Sequence, residues 1–458
     1  MRVIICGGGQ VGFSIAAYLS QEDNDITVID IDEATVSHIN NELEANGIAG
    51  HASSPDILYN AGANDADMII AVTHEDEVNM LACQVAHSLF NIPKKIARIR
   101  NQTYMEPSWQ NLFSRAHLPI DVIISPELEV AKAISQRLSV PGTTDAIPLA
   151  KGKVYLVGVI CDKDCPVVNT PLRQLGTLFP DLPVEIVCLM RGNQAVIPHG
   201  DHQIQIGDEA YFFVGTQHLE RAMHIFGHEE KEARHIVIMG GGNIGQSLAH
   251  IISDEYSGAR LKIIEPDSKK AHDLSIEFED VIVVQGDGLD REILDEVHIS
   301  HTEVFIAVTN DDETNILGSL LSKQYGCERA LTLINKSNYI PLVQSLGIDT
   351  TISPKAITVS SIMHHIRRGR IRGIHTLGDG FAEIIEGQVV EGAEIANKHI
   401  SEIELPSQVV IGIIVRGDDI LLPHEDLVIR PEDHVMVLAA KGQGSKVENL
   451  FSVQVELI

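Results

Sequence analysis

The stretch "VIICGGGQVG" at residues 3–12 returns as "IVIMGGGNIG" at residues 236–245. Each is a short apolar run that closes in G-x-G-x-x-G. In the first turn of a strand–helix–strand unit, these glycines permit a tight bend and a close backbone approach to a pyrophosphate. The helix that follows points its free N–H groups and positive dipole end at the phosphates. Gly7, Gly9 and Gly12 fit these roles, with Gly8, Gln10 and Val11 between them. Gly240, Gly242 and Gly245 repeat the pattern, with Gly241, Asn243 and Ile244. An acid ends the next apolar run in both copies, Asp30 in one and Glu265 in the other. A carboxylate there is placed to accept from adenosine ribose hydroxyls and to repel a 2′-phosphate. NAD or an adenine nucleotide is therefore favoured over NADP.

The recurrence extends well beyond the loops. "TVIDID" from Thr27 has its counterpart in "KIIEPD" from Lys262, and "GHASSPDIL" from Gly50 in "GDGLDREIL" from Gly286. "IIAVTHEDEVN" from Ile69 matches "FIAVTNDDETN" from Phe305, and "IDVIISP" from Ile120 matches "IDTTISP" from Ile348. A second block repeats too: residues 184–213 align without a gap to residues 409–438. The chain is an internal duplication of a two-lobed module, A-B-A-B.

Lobe A alternates strand-length apolar runs with helical patterns. In the first copy the runs lie at residues 2–6, 26–30, 67–73, 95–99 and 121–124. Between them, Val78, Leu81, Ala82, Val85 and Leu89 fall at helical spacing. This rhythm predicts βαβ units and a parallel sheet. Lobe B has brief alternating strands with polar turns at "RGNQ" from Arg191 and "PHGD" from Pro198. The expected fold is α/β: two tandem Rossmann-like, doubly wound parallel-sheet domains, each followed by a small α+β C-terminal lobe. The expected boundaries are 1–140, 141–228, 232–367 and 368–458, with the charged "GHEEKEAR" from Gly227 as linker.

The copies diverge after the fifth strand. The first reads "ARIRNQ", placing Arg98 and Arg100 near the carboxyl end of the sheet, where ligands of such folds sit. The second has Leu333 and Asn335 at the aligned positions. Two guanidiniums suit a terminal phosphate, so the first site is expected to prefer the more highly charged ligand; ion pairs between lobes are the competing role. Thr73, His74, Thr309 and Asn310, which follow the "AVT" strands, are well placed to line the nucleotide cleft. The acids after them are explained as helix N-terminal acids.

The chain has 458 residues, 44% of them hydrophobic and 21% charged, as expected of a folded, multidomain protein. A formal net charge of −30 argues against a general nucleic-acid binder. The longest apolar runs are strand-length, so no membrane span is expected, and no leader is expected before Met1. The six cysteines are scattered; Cys161 and Cys165 in "CDKDC" lack C-x-x-C spacing and read as reduced buried thiols. No metal site is expected. His199, Asp201 and His202, echoed by His424 and Asp426, fall where a turn needs polar residues anyway. "HHIRRGRIRG" from His364 is the one basic cluster, suited to an acidic partner or anionic lipid and also to a solvated helix end.

Hydride transfer needs an acid or base beside the nicotinamide. No tyrosine is followed four residues later by lysine, and there is no G-x-S-x-G, H-E-x-x-H or Walker loop. Catalysis is not expected. An NAD-dependent oxidoreductase, or a nucleotide sensor with some other partner, stays as the alternative.

The A-B unit resembles the module that regulates potassium conductance, the RCK or KTN domain. The resemblance is carried by "GGGQVG", "NDITVID", "GHASSPD", "DADMIIAVTHEDEVNMLACQVA" and "GGGNIGQSLA", and it covers essentially the whole chain. It implies a tandem RCK/KTN regulatory subunit of a Trk-type potassium uptake system. Such a subunit is a cytoplasmic protein, peripheral on the inner face of the cell membrane. It forms a homo-oligomer, a tetrameric ring of tandem modules, beneath a membrane potassium transporter of the TrkH/TrkG type. Its ligands are NAD(H) and ATP/ADP, whose binding changes the shape of the ring. The resemblance places Gly7 to Val11, Asp30, Thr73, His74 and Arg98 at the first site, and Gly240 to Ile244 with Glu265 at the second.

Overall fold

The computed structural model describes residues 1–20, 24–192, 194–256, 258–366, 371–377, 381–440 and 442–453. It separates into two compact bodies: residues 1–129 with 355–367, and residues 130–354 with 368–458.

The first body is built on strands β1 (Arg2–Cys6), β2 (Asp25–Asp30), β3 (Asn46–Ala49), β4 (Met68–Ala71), β5 (Lys94–Arg98) and β6 (Val122–Ile124). All pair in parallel, in the order β3-β2-β1-β4-β5-β6. Helices α1 (Gln10–Ser20), α2 (Glu33–Glu42), α3 (Pro55–Asn60) and α4 (Asp76–Phe90) make the crossovers. The central strand β1 is buried from Val3 to Cys6, as a parallel strand covered on both faces must be. Helix ends follow local chemistry. The Asp32 carboxylate accepts from the amides of Ala34 and Thr35 to start α2, and Asn91 in the left-handed region ends α4. Strand β3 lies outside the five runs expected for this copy. It is an edge strand with no fully buried residue, so its hydrophobic pattern is weak.

Helix α5 (Pro126–Ser139) leads from β6 into lobe B, which holds β7 (Asp145–Leu149), β8 (Val154–Ile160), β9 (Val184–Arg191), β10 (Gln194–Val196) and β11 (Glu209–Gly215). They form an antiparallel sheet in the order β10-β9-β11-β8-β7, with α6 (Leu172–Leu178) and α7 (Leu219–Ile225).

The second lobe A repeats the first with β12 (His235–Met239), β13 (Arg260–Glu265), β14 (Ile282–Gln285), β15 (Val304–Ala307), β16 (Arg329–Leu333) and β17 (Thr350–Ile352), ordered β14-β13-β12-β15-β16-β17. Its helices are α8 (Asn243–Glu255), α9 (Ser268–Glu277), α10 (Arg291–Glu296), α11 (Asp312–Gln324), α12 (Ile340–Ser345) and α13 (Pro354–Ile366). The second lobe B has β18 (Ile371–Leu377), β19 (Ala382–Gln388), β20 (Val409–Arg416), β21 (Asp419–Leu421) and β22 (His434–Ala440), with α14 (Gly444–Phe451). Its order, β18-β19-β22-β20-β21, is that of the first lobe B. The fold expected from the repeats is the fold observed.

The repeated lobes share fine detail. Arg191 grips the buried Asp208 through Nε and Nη2 at 2.9 and 2.7 Å, and Arg416 grips Asp433 the same way at 2.8 and 2.8 Å. Both sheets carry a register shift at the same place, beside Val187 in one and at Gly412 in the other. Within the second body the two lobe B sheets face each other, with Leu156, Phe213 and Tyr211 packed among Ile384, Ile413 and Met436.

Of the basic cluster, His364 to Ile366 end α13, residues 367–370 lie outside the described residues, and Arg372 donates to the Gln388 side chain. Among the described residues no helix is long and apolar enough to cross a membrane.

Candidate functional site

In a sheet ordered 3-2-1-4-5-6, the chain leaves β1 and β4 in opposite directions and opens a crevice at their carboxyl ends. The glycine loop after β1 and the segment after β4 meet there. Gly7 has φ +101°, and a Cβ on it would lie 3.0 Å from the Thr73 amide nitrogen. Gly12 opens the second turn of contact, since a Cβ there would lie 1.8 Å from the Gly7 carbonyl oxygen. Gly240 (φ +112°, 3.1 Å from the Thr309 nitrogen) and Gly245 (2.0 Å from the Gly240 oxygen) reproduce both approaches. These four glycines are required by the protein's own packing.

Gly9 and Gly242 are different. Nothing lies within 4 Å of a Cβ built on either, and Gly242 has an extended backbone (φ −74°, ψ −175°) that any residue adopts. Both precede the first residue of a helix, Gln10 of α1 and Asn243 of α8, and no side chain caps α8. The open space above each lies against a helix end whose first N–H groups have no intrahelical acceptor. A side chain would fill that cradle; glycine keeps it clear. The residues present therefore fit a phosphate group, which would lie against Gly9 and the amides of Gln10 and Val11, or Gly242 and those of Asn243 and Ile244.

The acids at the ends of the second strands are engaged with the loops. Asp30 Oδ2 accepts from the Gly8 amide at 2.6 Å, and its Oδ1 from the Asp32 amide at 2.9 Å. Glu265 Oε2 accepts from Gly241 at 2.9 Å and Oε1 from Asp267 at 3.0 Å. Each carboxylate thus fixes the middle glycine of its loop, a bracing role beyond the one expected for it.

Thr73 and Thr309 owe their position to residues the sequence analysis did not single out. Asn79 Oδ1 accepts from the Thr73 amide (2.8 Å) and hydroxyl (2.7 Å), while its Nδ2 donates to the carbonyls of Thr73 and Arg98 (3.2 and 2.9 Å). Asn315 makes the same four bonds with Thr309 and Leu333. Both asparagines are fully buried. The signal was available: each closes the matched run "AVTHEDEVN" or "AVTNDDETN". His74 and Asn310 stand exposed beside these threonines. The acids that follow do more than start helices. Asp76 accepts from the Arg100 and Asn101 amides at 2.9–3.0 Å, and Asp312 from those of Asn335 and Lys336 at 2.8–2.9 Å.

Arg98 ends β5 and is 5% exposed. Its Nη2 donates to the Thr73 carbonyl, and its Nε has no partner among the described residues. Burial first, then the like charge of Arg100, lowers its pKa to about 10, so it stays cationic at neutral pH. Among the described residues no carboxylate is within ion-pair distance of it. Arg100 lies 3.6 Å from Glu127 at the start of α5, in the same body rather than in a bridge between lobes. The second copy replaces this cationic pair with Leu333 and with Asn335, whose Nδ2 donates to Asp312 at 2.9 Å. Lys336 there is paired with Glu313 at 2.9 Å.

The remaining candidates form no centre. Asp201 pairs with Arg173, and His202 Nδ1 accepts from the His199 amide at 2.7 Å. Among the described residues no three His, Cys, Asp or Glu side chains are grouped to hold a metal ion.

Known proteins share this architecture over its full length. A TrkA-N domain model matches residues 3–126 and 236–354, and a TrkA-C domain model matches residues 384–452. The Trk system potassium uptake protein TrkA of Azorhizobium caulinodans is 44% identical over 456 residues, covering 100% of both chains. The chain belongs to the TrkA family. The TrkA protein of Vibrio alginolyticus is 40% identical with 98% of each chain covered, and that of Halomonas elongata 38% identical with 99% covered. Among solved structures, the RCK domain of GsuK has a TM-score of 0.60 at 17% identity, covering 99% of this chain and 95% of that one. The GsuK channel bound to NAD also scores 0.60, at 16% identity, covering 99% and 79%. Both show the RCK fold. The TrkA-C model leaves residues 145–215 unmatched, yet their sheet has the strand order of the matched lobe, so this TrkA-family chain carries two B lobes.

Proposed function

We propose that this chain is the nucleotide-sensing regulatory subunit of a Trk-type potassium uptake system, acting by gating and not by catalysis. The observation that carries the reading is the open glycine, Gly9 and again Gly242, kept clear above a helix N-terminus with no packing reason of its own. The names of its full-length relatives supply the transport system, and the NAD-bound GsuK channel supplies a precedent for a nucleotide on this fold.

In this reading the lobes divide at 1–140, 141–228, 232–367 and 368–458, and both A lobes bind nucleotide. The first site uses Gly7 to Gly12, Asp30, Thr73, His74, Arg98 and Arg100; the second uses Gly240 to Gly245, Glu265, Thr309 and Asn310. The ligands are NAD(H) and ATP or ADP, whose phosphates supply negative charge at the helix N-terminus. Arg98, buried and cationic with an unsatisfied Nε, favours the more highly charged nucleotide at the first site. The apolar Leu333 at the matched position removes that preference from the second. The subunit works in the cytoplasm, as a tetrameric ring of tandem modules on the inner face of the membrane, against a TrkH/TrkG-type transporter. A ligand biases such a ring only through unequal affinity for its two states.

The test is potassium flux through the reconstituted transporter, with and without this protein, across ADP, ATP and NADH. Nucleotide-dependent flux that needs this protein is expected; flux indifferent to all three nucleotides overturns the reading. Titration of ATP and NADH against Asp30→Ala and Glu265→Ala assigns the sites, and indistinguishable losses from the two variants contradict the asymmetry.

A further inference from the structure

Cys161 and Cys165 belong to neither glycine loop, and nothing in the proposed gating uses them. Cys161 follows β8, its amide donating to the Asp208 carbonyl at 2.8 Å, and the chain turns so that the Cys165 amide reaches the Asp162 carbonyl at 3.3 Å. The two thiols are near enough to influence one another and lie in one apolar cluster. Both are buried, but Asp162, Lys163, Asp164 and Pro166 around them are exposed, so the pair sits directly beneath the surface.

The second lobe B shows that the fold does not need thiols here. Val389 stands at the position of Cys161 and Ala393 at that of Cys165. The Val389 amide donates to Asp433 at 2.9 Å and the Ala393 amide to Val390 at 3.1 Å, the same turn built from apolar residues. The first lobe thus holds two reactive groups where its twin has inert ones, near one another and four residues apart.

We propose that Cys161 and Cys165 form a reversible dithiol–disulfide site, oxidised by small-molecule disulfides of the glutathione type. The two thiols have distinct roles. The neighbouring Cys161 thiol and the backbone N–H groups that follow favour the Cys165 thiolate against the effect of burial; the Cys161 thiol is pushed the other way. Cys165 is therefore the attacking sulfur and Cys161 the resolving one. The Cys165 thiolate attacks one sulfur of the oxidant, forming a mixed disulfide and expelling a thiolate. Cys161 then attacks the Cys165 sulfur, expelling the second thiolate. The two protons lost by the cysteines end on the two expelled thiolates, so the oxidant is reduced to two thiols. The site also touches the linker. Gly227 packs on it so closely that a Cβ would lie 3.0 Å from the Asp164 oxygen and 3.1 Å from the Cys165 Cα, and His228 Nε2 lies 3.3 Å from the Ile160 carbonyl oxygen. Closing the disulfide displaces that seat.

The experiment equilibrates the reduced, folded full-length chain with oxidised glutathione, blocks free thiols with iodoacetamide, and reads peptides by mass. The expected product links Cys161 to Cys165, is lighter by two hydrogens and free of alkyl groups, and reverts with dithiothreitol. Cys161→Val should trap glutathione on Cys165, and Cys165→Ala should carry no adduct; both borrow the second lobe's residues, which preserves the fold. Tryptic cleavage after Lys231 should change in rate on oxidation of the wild type and not of the Cys161→Val/Cys165→Ala chain. Two thiols that remain alkylatable, or a glutathione adduct on Cys165 that never closes, overturn the site. An unchanged cleavage rate overturns the linker's part in it.

Discussion

The Phe213 ring of the first lobe B lies directly over the Gly412 backbone of the second, so close that a Cβ on Gly412 would be 2.1 Å from the ring's Cε2. Gly412 is the register-shift residue of β20, and Val187 takes the matched place in β9, 3.1 Å from the same point. The two B lobes are therefore fitted to one another and are not interchangeable copies. Gly412→Ala should cost about 1–3 kcal/mol by overpacking. Phe213→Leu in the same chain should return part of it, measured as a double-mutant cycle by thermal unfolding. Additive losses would show that the ring is not what excludes a side chain.

The glycines of each loop should separate by purpose. Gly12→Ala should lower stability, since its Cβ meets the Gly7 oxygen. Gly9→Ala should leave the melting temperature unchanged while weakening nucleotide binding at least tenfold. Calorimetric titration beside thermal unfolding reads both. Intact binding by Gly9→Ala would remove the cradle.

Asn79→Ala should act on the first site without touching the loop that surrounds it. It takes the acceptor from the Thr73 amide and hydroxyl and the Asn79 donor from the buried Arg98 carbonyl, and leaves the Thr73 carbonyl only the Arg98 guanidinium, a loss of about 2–4 kcal/mol. Nucleotide affinity at the first site should fall with it and hold at the second, where Asn315 does the same work. Equal affinity at both sites would show that Thr73 is placed by other contacts.

Burial alone raises the Glu185 carboxyl to about 7. The folded state then binds the proton more tightly than the unfolded chain, whose carboxyl titrates near 4.5. Stability is full below that lower value and is lost as pH rises through 7. Glu185→Gln should therefore stabilise the protein by about 1–3 kcal/mol at pH 8 and change little at pH 4.5. Unfolding at the two pH values checks this; equal gains at both would contradict it.

Much of this molecule is legible in its sequence, because the duplication tests every motif twice. The parallel sheets followed from apolar runs buried on both faces, and the glycine loops from their strand–helix setting. Strand β3 was not legible, since an edge strand lacks the pattern that burial imposes. Asn79 was overlooked because a buried polar residue leaves no periodic trace; only its recurrence as Asn315 marks it. Arg98 is legible as a candidate, but its lack of an ion-pair partner among the described residues is not, because pairing depends on how distant segments pack. The destination of α13 was hidden for the same reason: its apolar face shows that it must be covered, not by which sheet.

That last helix sets an order on the birth of the protein. Ile362, Met363 and Ile366 of α13 fill the core made by Val3, Ile5, Ile26, Val28 and Ile70. A ribosome that has delivered the whole first sheet has not yet delivered the residues that close it. The nascent lobe must wait, with part of that apolar face covered by α1 and α2 and the rest open, through the synthesis of more than two hundred further residues. Fragments that end after the first module should for this reason be sticky and short-lived, although every strand of their sheet is present.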